Sequence, residues 1–125
     1  MTTVALIFAL GLLAAGVVFQ TALASGAPWG RFAWGGAHRV LPRRLRVGSI
    51  VAVVLYVAFA ALLLSRGGVL PGREGAPVMV LTWILFAYFA VGVVLNGISR
   101  SRPERWTMTP VCAMLALMTL IIALS

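Results

Sequence analysis

The chain contains no lysine and no aspartate, and only one cysteine, one histidine and two glutamates in 125 residues. Each shortage removes a class of function. A single histidine, His38, and a single cysteine, Cys112, make no set with zinc-ligand spacing, so no metal site is expected. The lone cysteine also excludes an intrachain disulfide and Cys-x-x-Cys redox chemistry. It reads as a small packing residue in an apolar run. Glu74 and Glu104 fall in different loops. They supply neither a catalytic carboxylate pair nor an acidic Mg²⁺ site within one copy. No Ser-His-Asp or HExxH arrangement is present, and His38 reads as a solvated loop residue. No catalytic residue and no cofactor is expected, and an enzyme is the last-ranked class.

Charge is also missing from four long apolar runs, Val4–Ala24, Val47–Leu64, Val78–Ile98 and about Thr109–Leu124. Each is close to the ~20 residues with which a helix crosses ~30 Å of hydrocarbon. Hydrophobic residues make up 62% of the chain and its mean hydropathy is +1.09, whereas soluble domains sit near ~45–50% apolar. The reading is an all-α polytopic membrane protein, a four-transmembrane-helix up-down bundle occupying residues 1–125 as one domain. The predicted helices are about 4–24, 42–65, 77–98 and 102–124, with a cytoplasmic loop over 25–41. Ala22-Leu23-Ala24 mimics a signal cleavage site. The stretch before it is too long, and its start lacks a basic residue, so cleavage is not expected.

What charge there is comes almost entirely from ten arginines, giving +8. In a soluble chain this balance points to nucleic acid; in a bilayer it sets orientation, and no nucleic-acid partner is expected. Eight arginines lie in the first and third connections and two, Arg66 and Arg73, in the second. The positive-inside rule places the first and third in the cytoplasm and both termini outside. Arg31, Arg39, Arg43, Arg44, Arg46, Arg102 and Arg105 are then placed to meet anionic lipid headgroups at the cytoplasmic face, at about 1 kcal/mol each. Trp29, Trp34 and Trp106 flank the same side, as interface-belt residues do.

Helix starts are marked. Pro42 suits a first turn, and Ser101-Arg102-Pro103-Glu104 has the form of a capping box, with Ser101 accepting an N–H and Glu104 reaching back. Pro110 predicts a kink or a break near Thr109. Polar residues within the apolar runs are few. Gln20 and Asn96 lie near the cytoplasmic ends of their helices, and Tyr56 and Tyr88 near mid-membrane. On helical wheels Tyr88, Gly92, Asn96 and Ser99 share one side of the third helix, and Ala9, Leu13, Gly16, Gln20 and Ala24 form a stripe on the first. Such residues either bridge helices by hydrogen bonds or line a polar pocket. Gln20, Tyr56, Tyr88 and Asn96 are therefore the candidate ligand-binding residues. No titrating group falls inside the runs, which argues against a proton-coupled exchanger. The glycine-rich 25–41 loop reads as an interfacial loop with buried aromatics or as a partly re-entrant lid over a cavity. Gly11 and Ala15 form a small-xxx-small pair on another face of the first helix, which allows a homo-oligomer.

Two groups of residues carry a resemblance. The first is Gln20, Gly26-Ala27-Pro28-Trp29-Gly30, Trp34-Gly35-Gly36, Leu41-Pro42 and Arg46. The second is Asn96, Ser99, Ser101, Glu104-Arg105, Met108 and Thr109-Pro110-Val111. Together they resemble an uncharacterised family of small four-span bacterial integral membrane proteins. The resemblance implies the same architecture in a bacterial cytoplasmic (inner) membrane and carries no activity over. It groups Gln20, the first loop and the 96–110 segment as one cytoplasmic-side unit. The expected function is binding or transport of a lipid or small amphiphile in a cytoplasm-facing pocket. The alternative is a structural or accessory subunit of a larger membrane complex.

Overall fold

A computed structural model describes residues 1–125 as four long helices: α1 (Thr2–Ala24), α2 (Arg43–Arg66), α3 (Ala76–Gly97) and α4 (Arg102–Leu124). Their 22 to 24 residues correspond to about 33–36 Å, enough to cross a bilayer, and all four are apolar enough to do so. Successive helices are antiparallel neighbours. α1 packs on α2, α2 on α3, α3 on α4 and α4 back on α1, while α1 and α3 scarcely touch across the diagonal. The protein is therefore an all-α up-down bundle with no strand.

Only 21 of 125 residues are buried, and Val54, Val57, Ile84, Val94 and Leu95 each leave more than half of their surface open on the outside. In water such a surface would aggregate; in hydrocarbon it is the natural exterior. The core is a narrow column of Ala5, Leu6, Ala9 and Leu13 from α1, Leu63 from α2, Leu85 and Phe89 from α3, and Leu115, Ala116 and Ile122 from α4. Phe59 of α2 joins it to α3, its ring centroid 5.3 Å from that of Tyr88 and 5.9 Å from that of Phe89. On α3, Leu85 and Phe89 are buried and Trp83, Ala87 and Val94 are exposed, while of the residues the wheel placed on one side Gly92 and Asn96 are partly buried and Tyr88 keeps 51% of its surface open.

α4 runs continuously through Pro110, which excludes the break among the two expected alternatives, and the buried Thr109 hydroxyl has no partner. Three local expectations are corrected. Pro42 stands just before α2 as its N-cap rather than in its first turn. α3 starts one residue earlier than its proline. The capping box is half made. Ser101 Oγ accepts from Glu104 N at 3.4 Å, but the Ser101 N–H donates to Ser99 Oγ at 3.2 Å, so Glu104 finds no donor there.

At the end of the bundle that holds both termini, Arg66 is a buried part of α2 rather than a loop residue. Its Nη2 donates to the carbonyls of Ala123 (3.2 Å) and Ser125 (2.9 Å), and its Nη1 to Arg73 O (2.8 Å). Carbonyls at a helix C-terminus lack intrahelical donors and carry the negative end of the dipole, so a guanidinium suits them doubly.

Candidate functional site

The four polar residues singled out on the sequence converge. Gln20 of α1, Tyr56 of α2, and Tyr88 and Asn96 of α3 all line one cavity of about 640 Å³, within the ~300–1,000 Å³ of small-molecule pockets. It lies in the half of the bundle that carries the eight arginines. Gln20 is buried and donates from Nε2 to the Tyr56 hydroxyl at 3.4 Å; its Oε1 has no partner. Asn96 is partly held by its own helix and by α4, with Nδ2 donating to Gly92 O at 2.7 Å and to Cys112 Sγ at 3.3 Å. The two glycines at this level are closely approached by side chains. A methyl at Gly16 would meet the Tyr56 ring at 3.0 Å, and one at Gly92 would meet Cys112 Sγ at 3.3 Å.

The cavity has a roof. Residues 30–32 and 34–36 form two 3₁₀ turns, and Phe32, Ala33 and Trp34 enter its wall. Three contacts dock the loop. Ser101 Oγ donates to the Arg31 carbonyl. Trp34 Nε1 donates to Ser49 Oγ at 3.4 Å with its ring over Gly48. Trp29 stacks on Phe19 of α1, with centroids 6.4 Å apart and planes 4° apart. Gly36, at φ +74°, sits so close to Ser101 that no side chain fits. Of the two sequence readings of this loop, its side chains take the place of a cover over the cavity.

The cavity is not closed at the side. Among its wall residues on α3, Tyr88, Val91 and Leu95 keep 51%, 56% and 61% of their surface exposed. α2 gives the wall only Tyr56, so the side between α2 and α3 is the least covered part of the wall.

α4 supplies wall residues that were not among the four ligand-binding candidates, although the resemblance grouped the 96–110 segment with Gln20 and the first loop. It contributes Thr107, Met108, Val111, Cys112, Leu115 and, most consequentially, Glu104. Glu104 is 8% exposed and its Oε2 is buried without a hydrogen-bond partner. No titrating group lies inside the apolar runs, and Glu104 joins the cavity wall from the turn that precedes the fourth run. The apolar run of α4 begins at about residue 109, but the helix begins at Arg102 and carries Glu104 inward on its first turn. The arginines stand elsewhere. Arg31, Arg39, Arg43, Arg44 and Arg102 are exposed. Arg46 braces the loop by donating from Nε to Leu41 O (2.9 Å), and Arg105 donates to Ser99 O (3.3 Å). His38 is half-buried with its Nδ1 unpartnered, and it lies outside the cavity wall. No three His, Cys, Asp or Glu side chains come together as a metal cluster would require.

Comparisons with protein-family models, with curated proteins and with solved structures find no match to this chain. The class defined by fold and site is thus a four-helix membrane-spanning bundle with one roofed, side-opening cavity.

Proposed function

We propose that the protein binds, and in a membrane passes on, a lipid or small amphiphile held in this cavity, at the cytoplasmic end of a four-span bundle whose termini lie outside the cytoplasm. The observation that carries the reading is the convergence of Gln20, Tyr56, Tyr88 and Asn96 on one cavity with a mostly apolar wall. Polar groups at one end and leucines and aromatics along the rest match a molecule with a head and a tail. Access along α3, from the side that meets hydrocarbon, suits a molecule already dissolved in the bilayer. The Trp34-bearing loop covers the cytoplasmic end and acts as its gate. The arginine-rich face holds the bundle against anionic headgroups in a bacterial inner membrane.

The test is native mass spectrometry of protein released gently from the membrane. The wild type is expected to retain a bound amphiphile, and Asn96→Leu, which fills the polar end, to lose it while remaining folded. Bare protein in both samples would overturn the reading. The alternative, an accessory subunit of a larger complex, draws on Gly11, which faces outward with nothing within 4 Å of an added methyl. On that reading Gly11→Leu abolishes co-purification of a partner and Asn96→Leu has no effect.

A further inference from the structure

The cavity wall comprises 22 residues, and not one of the ten arginines is among them; Glu104 is its only charged member. The chain's single ion pair, Arg73 with Glu74 at 3.4 Å, is at the other end of the bundle. A buried carboxyl oxygen without a hydrogen-bond partner, Glu104 Oε2, is costly for a fold to hold, and here it persists at the arginine-rich end. Two nearby groups that would ordinarily satisfy it are bonded elsewhere, the Ser101 N–H to Ser99 Oγ and Ser101 Oγ to Arg31 O, and Arg105 donates to Ser99 O rather than to Glu104. The second unsatisfied side-chain atom in the same wall, Gln20 Oε1, is also an acceptor. Both unmet demands are therefore for hydrogen-bond donors.

The remaining wall fits the same ligand. Phe32, Trp34, Tyr56 and Tyr88 are in the wall, and aromatic rings attract cations, as Phe32 does the Arg31 guanidinium 5.0 Å from its centroid. Wall residues on α1 run from Gln20 down to Leu12, and on α4 from Glu104 to Leu115. These spans are about 12 Å and about 16 Å at the helical rise, with the polar groups at one end only.

We infer that the cavity selects amphiphiles with a protonated amine head, which donates to Glu104 while the tail lies between Leu13 and Leu115. The inference rests on the pocket reading above and narrows it to one ligand class. An anionic head brings Glu104 a further acceptor, and an alcohol head offers it one donor where an ammonium offers three.

Decylamine, decanol and decanoate, with equal tails and different heads, distinguish the possibilities. Each is titrated into wild-type protein in phosphatidylcholine nanodiscs, with protein-free nanodiscs as the partition control and tryptophan fluorescence as readout. Decylamine is expected to bind at least tenfold more tightly than decanol, and decanoate most weakly. Glu104→Gln is expected to bring decylamine and decanol within about threefold of each other. A second measurement needs no variant: an apolar carbodiimide labels Glu104, peptide mapping reads its rate, and N,N-dimethyldecylamine, which cannot be coupled to the activated carboxyl as an amide, slows it while decanol does not. Equal wild-type affinity for decylamine and decanol would show that cavity water satisfies Glu104 and would overturn the inference while leaving the pocket reading intact. Tightest binding of decanoate, or an amine preference unchanged in Glu104→Gln, would overturn it too. Binding of none of the three would sink both.

Discussion

The guanidinium of Arg66, on the last turn of α2, donates to the carbonyl of Ala123, near the last turn of α4, at 3.2 Å. With the bonds to Ser125 O and Arg73 O, one buried cation ties two helix ends and the second connection. Charge-assisted hydrogen bonds contribute about 1.5–3 kcal/mol each, reduced here by the nearby interface. Arg66→Ala is expected to lower stability by about 2–3 kcal/mol in reversible detergent unfolding. Arg66→Lys should recover only part, because an ammonium does not reproduce the planar fork.

Gly35 and Gly36 form a matched pair for testing the roof. Both have left-handed φ, +77° and +74°, but an added methyl at Gly35 meets nothing within 4 Å, whereas at Gly36 it strikes Ser101. Gly35→Ala should cost about 1–2 kcal/mol of local strain and leave the loop docked. Gly36→Ala should also break the Ser101–Arg31 contact. Hydrogen exchange of residues 30–39 is expected to rise markedly in Gly36→Ala alone; equal rises in both would mean that strain, not contact, sets the loop's docking.

Glu104 bears on stability as well as on recognition. Leaving a buried charged acceptor unmet costs at least about 1–3 kcal/mol, while an acid on the first turn of a helix regains only about 0.3–1 kcal/mol from the dipole. The first term wins. Glu104→Gln is therefore expected to raise stability by about 1 kcal/mol without added amphiphile, measured by the same unfolding assay. A clear loss would assign Glu104 to the fold rather than to a ligand.

Orientation has its own test. In a Cys112→Ala background, Glu74→Cys and Ala37→Cys mark the two sides of the bundle, both positions being exposed. A membrane-impermeant maleimide applied to intact cells is expected to label residue 74 and spare residue 37 until the cells are opened. The reverse pattern would refute the arginine argument.

The four spans and the inward stripes of α1 and α3 were legible because hydrocarbon imposes one strong rule, that charge stays out, on runs long enough to read. Gln20, Tyr56, Tyr88 and Asn96 were legible for the same reason, as the few polar groups inside those runs. Glu104 was not. The helix over 102–124 was predicted, but its charged first turns precede the apolar run at about residue 109 and read as interfacial, so nothing in the sequence shows that Glu104 turns inward. A capping signal and an acid three residues after it were on the page, but the capping-box interpretation gave that acid a local partner that the fold assigns to Ser99. Arg66 was hidden likewise: an arginine at a run's edge normally turns to water, and only the arrival of α4's end beside it makes burial favourable. The loop's role depended on contacts such as Arg31 with Ser101, 70 residues apart, which no local pattern encodes.

The exposed flanks of Tyr88, Val91 and Leu95 determine how such a site is filled. A gap on the lateral wall of the bundle samples a two-dimensional solvent, so occupancy follows the occupant's mole fraction among lipids, not its molarity in water. Each methylene adds about 0.8 kcal/mol to partitioning into that solvent and nearly nothing to the subsequent step sideways into the protein. Affinities measured per litre should therefore change with the amount of lipid present, while those expressed per lipid should stay constant.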